Sequence, residues 1–166
     1  GVLRGVTTGS CNVAIGYEAL SGAVTGGSNV AFGRNAGGSS MTGSDNTAIG
    51  RCSMNGTVTG ANNIAMGCKA AINLSSGADN IALGRLAMGA GTVTGSCNIA
   101  LGANAGNKVD SGQYNVFFGK YAGYFNTSGS CNIAIGCNAG KGITTATENI
   151  SIGGLGLQQA AGNMNV

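Results

Sequence analysis

The sequence predicts an all-β fold, a parallel β-solenoid (β-roll) of about nine to ten coils of 17 residues. Three observations predict it. An asparagine recurs every 17 residues, a glycine follows each asparagine at the fourth position, and the three residues between them alternate large, small, large. A single interval has 18 residues, from Asn80 to Asn98, and the extra residue is predicted in the loop 89–91. A fixed period of this length indicates stacked structural repeats, so residues 1–166 are predicted to form one repeat domain.

The composition excludes several other classes of protein. The 33 glycines occur without proline, which excludes collagen, and 43% apolar residues exclude a disordered chain. A net charge of +3 without clustered Lys/Arg argues against a nucleic-acid partner. No stretch approaches the ~20 consecutive apolar residues of a membrane span. Neither a nucleic-acid partner nor a membrane span is therefore predicted.

The recurring asparagine is predicted to form a ladder through the coils. Each side-chain amide would bind its counterpart in the next coil and satisfy backbone groups of the adjoining turn. A hydroxyl residue lies four positions before each one, as in Thr8 and Thr25, and offers a second row of hydrogen-bonding groups. The asparagines are Asn12, Asn29, Asn46, Asn63, Asn80, Asn98, Asn115, Asn132 and Asn149, with a partial unit at Asn165.

The triplet after each asparagine predicts a short β-strand. Val13-Ala14-Ile15 and Ile81-Ala82-Leu83 are typical, with β-branched residues at period 2. We expect the bulky residues inside the coil and the small ones outside, because exposed rows of Ile and Val are hard to keep soluble. The alternative is an Ala-filled interior with the bulky face between chains. The small row consists of Ala14, Ala31, Ala48, Ala65, Ala82, Ala100 and Ala134.

The glycine that ends each strand is predicted to occupy a turn with positive φ. These glycines are Gly16, Gly33, Gly50, Gly67, Gly84, Gly102, Gly119, Gly136 and Gly153.

The second half of each unit keeps one large apolar residue, which predicts a second short strand or extended segment. These residues are Val24, Met41, Val58, Leu74, Val93, Val109, Phe125 and Ile143.

Both termini contain fragments of the repeat. Residues 162–166 match the start of a tenth unit, and residues 1–4 resemble the end of an earlier one. Solenoid ends without a polar cap favour stacking. We therefore expect the coil stack to continue into further subunits, end to end, or into a longer chain.

The repeat resembles two known groups of proteins. The run at residues 12–20 and its echo at 132–136 are similar to the head repeats of YadA-type trimeric autotransporter adhesins and to the Asn-x-Ala-Ile-Gly arrays of phage tail fibres. That resemblance implies a left-handed parallel β-roll, commonly three chains side by side, in an extracellular adhesive head, cell-surface appendage or virion tail-fibre shaft. The adhesin unit is shorter, and neither a membrane anchor nor a coiled-coil stalk is visible in this sequence.

Residues with catalytic chemistry are sparse, and no catalytic, cofactor-binding or metal-binding residue is predicted. The absence of histidine excludes Ser-His-Asp and Cys-His catalysis. Asp45, Asp79 and Glu148 share one position of the repeat but fall in non-adjacent coils, so solvated turn residues account for them better than a glycosidase pair. Cys52 and Cys68 occupy neighbouring positions in consecutive coils and are the candidate disulfide. The other cysteines are either free or cross-links between chains.

These features favour a structural, self-assembling fibre subunit and not an enzyme. An adhesin head that binds a receptor or a surface glycan is the first alternative, and the cations after the turn glycine, such as Arg34 and Arg51, are either a solubility row or a docking site for an acidic glycan. An ice-binding solenoid is the second, although Thr-x-Thr is sparse, as at 57–59 and 92–94. N-glycosylation patterns begin at Asn73, Asn126 and Asn149.

Overall fold

A computed structural model of the chain describes residues 8–154 and confirms the parallel β-solenoid. One wall of the coil is a nine-stranded parallel sheet, with one strand per coil in chain order. The terminal repeat fragments at 1–4 and 162–166 lie outside the described residues. The strands of the large sheet are β1 Val13–Ile15, β3 Val30–Phe32, β5 Thr47–Ile49, β7 Ile64–Met66, β8 Ile81–Leu83, β9 Ile99–Leu101, β10 Val116–Phe118, β11 Ile133–Ile135 and β12 Ile150–Ile152.

Neighbouring strands of this sheet pair in register. Ala48 lies opposite Ala65, and Ala82 lies opposite Ala100 across the 18-residue interval. Each row of the repeat therefore places like residues beside like at the strand spacing of about 4.8 Å. The sequence predicts this register directly, because any other pairing would break the asparagine and glycine rows.

The second wall is paired less regularly. It contains a three-stranded parallel sheet of β2 Ala23–Val24, β4 Ser40–Met41 and β6 Thr57–Val58, followed by an isolated bridge between Leu74 and Val93. The predicted apolar residues of this wall are buried, with one exception. Phe125 is 44% exposed, and Asn126 takes the interior position in its place.

The orientation that we predicted for the strands is wrong: the small row lies inside the coil and the bulky row outside. Ala31 is fully buried, whereas its neighbour Phe32 is 53% exposed. The reason is the parity of the strand. Residues two apart share a face, so the buried Asn29 directs Ala31 inward and Val30 outward.

The interior leaves no room for a second bulky row, because the opposite wall already fills it. A Cβ atom at Gly37 would lie 2.8 Å from Leu20 Cδ2 and 3.1 Å from Met41 Cε. The alanine row therefore provides the space that Leu20 and Met41 occupy.

The turns use left-handed backbone conformations at fixed places in each coil. The residue before each ladder asparagine has a φ of 57–59°, as in Asp45 and Cys131. The glycine that ends each strand has a φ of 103–134°. Most of these glycines also touch the next coil, since a Cβ on Gly102 would lie 2.8 Å from the carbonyl of Gly119.

Candidate assembly surface

The outer face of the nine-stranded sheet, here called the sheet face, carries most of the exposed large hydrophobic side chains of the described chain. It consists of the first and third residues of every strand, and Thr47 is the one polar residue among them. The best-exposed members are Ile15 at 54%, Phe118 at 56% and Ile152 at 70%. Nine strands, each three residues wide, give the face an area on the order of 400 Å². The largest apolar patch of a typical monomer has an area of about 300–600 Å² and is often functional, and the sheet face lies within that range.

The two long edges of the sheet face carry opposite charges. The acidic rim is the row immediately before the ladder asparagines, where every charged residue is a carboxylate. The basic rim is the row immediately after the turn glycines, where every charged residue is a cation. The acidic rim is Cys11, Ser28, Asp45, Asn62, Asp79, Cys97, Tyr114, Cys131 and Glu148. The basic rim is Tyr17, Arg34, Arg51, Cys68, Arg85, Ala103, Lys120, Cys137 and Gly154.

The nine asparagines form a continuous ladder beside the sheet face, and all except the half-buried Asn12 are buried. The Oδ1 of Asn12 to Asn132 accepts a hydrogen bond from the backbone N–H of the next asparagine, at 2.8–3.1 Å. The Nδ2 of Asn12 to Asn132 donates to a turn carbonyl of the following coil, at 2.8–3.0 Å. The ladder thus ties every coil to the next and fixes the height of both rims along the rod.

Cys52 and Cys68 are free in the structure, so the predicted disulfide is not formed there. Cys68 lies opposite Arg51 in the stack, and Cys52 is offset by one position. Arg51 Nη2 donates to Cys68 Sγ at 3.2 Å. This hydrogen bond, with the charges of Cys68 and Cys52, raises the pKa of the exposed Arg51 above its ordinary value. Oxidation of the pair stays a prediction.

A cluster of aromatic and basic side chains, here called the aromatic corner, lies at the turn that follows β10. Tyr124 makes edge contacts with Tyr121 and Phe125, with ring centroids 5.4 and 4.7 Å apart. The Nζ atoms of Lys120 and Lys141 each lie 5.3 Å from the centroid of Tyr121. The sequence analysis missed this corner, because its residues come from different positions of two consecutive units.

The other candidate groups are dispersed. Asp45 and Asp79 are exposed with Asn62 between them in the stack, and Asn62 Nδ2 donates to Asp79 Oδ1 at 3.2 Å. Among residues 8–154, no three His, Cys, Asp or Glu side chains are close enough to hold a metal ion. Of the N-glycosylation patterns, those at Asn126 and Asn149 are buried. Asn73 is exposed and lines a groove of about 250 Å³ at the second wall.

Comparison of the chain with protein-family models, curated proteins and solved structures gives no match. In the described part of the chain, no helix has the length and apolar character that a membrane crossing requires.

Proposed function

We propose that the chain is a structural subunit or shaft segment of an extracellular fibre, whose copies associate side by side through the sheet face. The observation that carries this proposal is the exposed apolar face of nine strands, which has no charged residue in any described strand. Leaving such a face in water is costly, at about 25 cal/mol for each Å² of apolar surface. The extracellular setting rests on the resemblance of the repeat to adhesin heads and tail fibres.

The rims favour parallel chains related by rotation about the fibre axis. In such an arrangement the acidic rim of one chain meets the basic rim of the next, and equal coils lie at equal heights. Asp45 and Arg51 belong to one coil, and Asp79 and Arg85 belong to another. Both pairs would therefore meet between neighbouring chains with no shift along the fibre axis. The partner that fits the rims is thus a second copy of this chain.

The width of the sheet face favours three chains. Its rims are six residues apart along the chain, which is at most roughly 20 Å, because left-handed turn residues at both ends shorten the extended length. Three such faces form a triangular prism whose walls lie no more than roughly 6 Å from the axis, close to half of the ~10 Å at which sheets pack face to face. Four faces would leave an empty centre, which closely packed protein interiors avoid.

The area of the face indicates that the rims take part in the contact. The apolar strip, on the order of 400 Å², is about half of what one partner contributes to an interface of standard size. The rim side chains of both neighbours supply the remainder.

Light scattering on the intact chain tests the assembly. We expect a trimer, and we expect Ile99→Glu, at the centre of the sheet face, to shift it toward monomer, because a carboxylate would be buried in an apolar core. Thr42→Glu, on an exposed site away from the face, is the matched control and should leave the trimer intact. A chain that stays monomeric at high concentration, by light scattering and electron microscopy, would refute the proposal.

The aromatic corner favours a second function, binding of an acidic glycan. Exposed aromatic rings offer apolar platforms for sugar rings, and Lys120 and Lys141 offer positive charge to their carboxylates. The probe is polygalacturonate, with neutral dextran as the comparison. We expect Tyr121→Ala to weaken binding of the acidic polymer about tenfold, because it removes the ring that holds both lysines in place and offers a stacking surface. Equal binding of both polymers would count against this function.

A further inference from the structure

We infer that Cys131 of one chain and Cys137 of its neighbour form an interchain disulfide that closes the ring of three chains. The inference rests on the lateral assembly proposed above. Both cysteines belong to the same coil, on either side of β11, and both are exposed. Cys131 lies on the acidic rim and Cys137 on the basic rim.

The two cysteines of one chain cannot bridge each other. The three residues of β11 between them alone span roughly 10 Å, whereas a disulfide requires Cα atoms within about 7 Å. At each vertex of the prism, however, the acidic rim of one chain meets the basic rim of the next at the same height. Cys131 therefore meets Cys137 there, and a ring of three contains three such pairs.

The remaining rim cysteines have no partner of this kind. In its own coil, Cys97 lies across the sheet face from Ala103, and Cys68 lies across it from Asn62. Neither cysteine would therefore meet a cysteine of the neighbouring chain. They are therefore internal controls for cross-linking.

The number of chains in the ring decides whether the bridge forms. Two sheet faces that pack against each other hold their rims ~10 Å apart, too far for a disulfide. Three faces converge at the vertices and bring the rims together. A covalent trimer is thus a signature of the three-chain ring.

The bond forms by thiol–disulfide exchange with a small-molecule disulfide such as oxidised glutathione. One cysteine thiolate attacks the small disulfide and releases one glutathione thiolate, and the second cysteine attacks the mixed disulfide and releases the other. The two protons of the cysteines end on the two released thiols. Asn138 Nδ2 donates to Cys137 Sγ at 3.3 Å.

Non-reducing electrophoresis of the intact chain, after oxidation with oxidised glutathione and alkylation, tests the inference. We expect dimer and trimer bands that reductant removes, and a peptide pair by mass spectrometry that joins residues 131 and 137. Cys131→Ser should abolish the covalent species, whereas Cys97→Ser should leave them unchanged. An equal mixture of Cys131→Ser and Cys137→Ser chains should stop at covalent dimers, because each chain then has one usable cysteine.

Light scattering of the same samples separates this inference from the proposed function. Trimers that never cross-link would overturn the disulfide and leave the assembly standing. Monomers that never cross-link would overturn both. Covalent species that stop at dimers in the native chain would overturn the three-chain closure.

Discussion

Asparagine suits the ladder because its amide is both donor and acceptor on a short side chain. In Asn98, Oδ1 accepts from the backbone N–H of Asn115 at 3.1 Å, and Nδ2 donates to the Gly112 carbonyl at 2.8 Å. Aspartate would lack the donor and would bring a charge into a buried site. Serine would lack the second polar atom.

Replacing one ladder asparagine should weaken the whole coil stack. Asn98→Leu leaves a buried N–H and a buried carbonyl unpaired, so we expect the free energy of unfolding to fall by about 2–5 kcal/mol. Gln113→Ser, at an exposed site with no positive φ, is the control and should change it by less than ~0.5 kcal/mol. Denaturant titration followed by circular dichroism measures both, and equal losses would contradict the ladder's role.

Asn126 is the opposite case, a buried amide without a ladder. Neither its Oδ1 nor its Nδ2 has a hydrogen-bond partner, and it occupies the interior position that Val109 and Ile143 fill in the adjacent coils. Asn126→Val should raise the free energy of unfolding by about 1–3 kcal/mol, since it removes an unsatisfied buried amide. A shift of the denaturation midpoint to lower denaturant would contradict this account.

At the scale of single residues, the sequence predicts which positions recur in the repeat. It does not predict the units in which a row departs from its usual residue. The positions of Asn98 and Gly102 follow from the period alone. Phe125 and Asn126 could not be assigned, because the offset of the second wall varies between units, and hydrophobicity alone favours Phe125 as the interior residue. The backbone turn at Gly123 decides instead, with its carbonyl accepting from the N–H of Asn126 at 3.0 Å.

Within one coil, the strand's central residue faces the residue six positions later across the interior. Opposite an alanine, that residue ranges from Gly37 to Met88. Phe117 faces Gly123, where a Cβ atom would lie 2.2 Å from the Phe117 ring. In this coil the large central residue is thus balanced by a glycine.

This balance predicts that two damaging substitutions should compensate each other. Phe117→Ala should cost about 3–5 kcal/mol of stability through the cavity it leaves. Gly123→Met alone should also destabilise, because its side chain would clash with the Phe117 ring. The double variant restores the arrangement of Ala82 and Met88 and should recover at least ~2 kcal/mol relative to the sum of the two losses. Additive losses, measured by denaturation, would show that the two sites are independent.

The direction of the strands was predictable from the same alternation that revealed them. Asn and Ala are two residues apart, so a buried asparagine requires a buried alanine. The competing argument was that exposed rows of isoleucine make a chain poorly soluble. That argument applies only to an isolated chain. The exposed rows at Ile15 and Phe118 therefore bear on how chains associate and not on how one coil folds.

For the whole molecule, the arrangement of charge along the rod would set the orientation of neighbouring chains in the proposed assembly. Antiparallel chains would place coils of different height together and would break the match of Asp45 with Arg51 and of Asp79 with Arg85. Parallel chains related by rotation would keep both matches at every vertex. We propose that the apolar face supplies most of the association energy and that the rims select the register.

A charge exchange within one chain tests that register. Asp79→Arg alone should weaken trimer formation, because it would face Arg85 of the neighbouring chain. Adding Arg85→Asp to the same chain should restore association, since each vertex then again pairs one acid with one base. A partly exposed ion pair contributes about 0.2–1 kcal/mol, and a trimer contains three such pairs at the height of Asp79. Their combined loss should change the midpoint of trimer dissociation, which sedimentation equilibrium at low salt measures. Asp110→Arg, away from both rims, is the control. If the double variant associates no better than Asp79→Arg, the parallel, unshifted register is wrong.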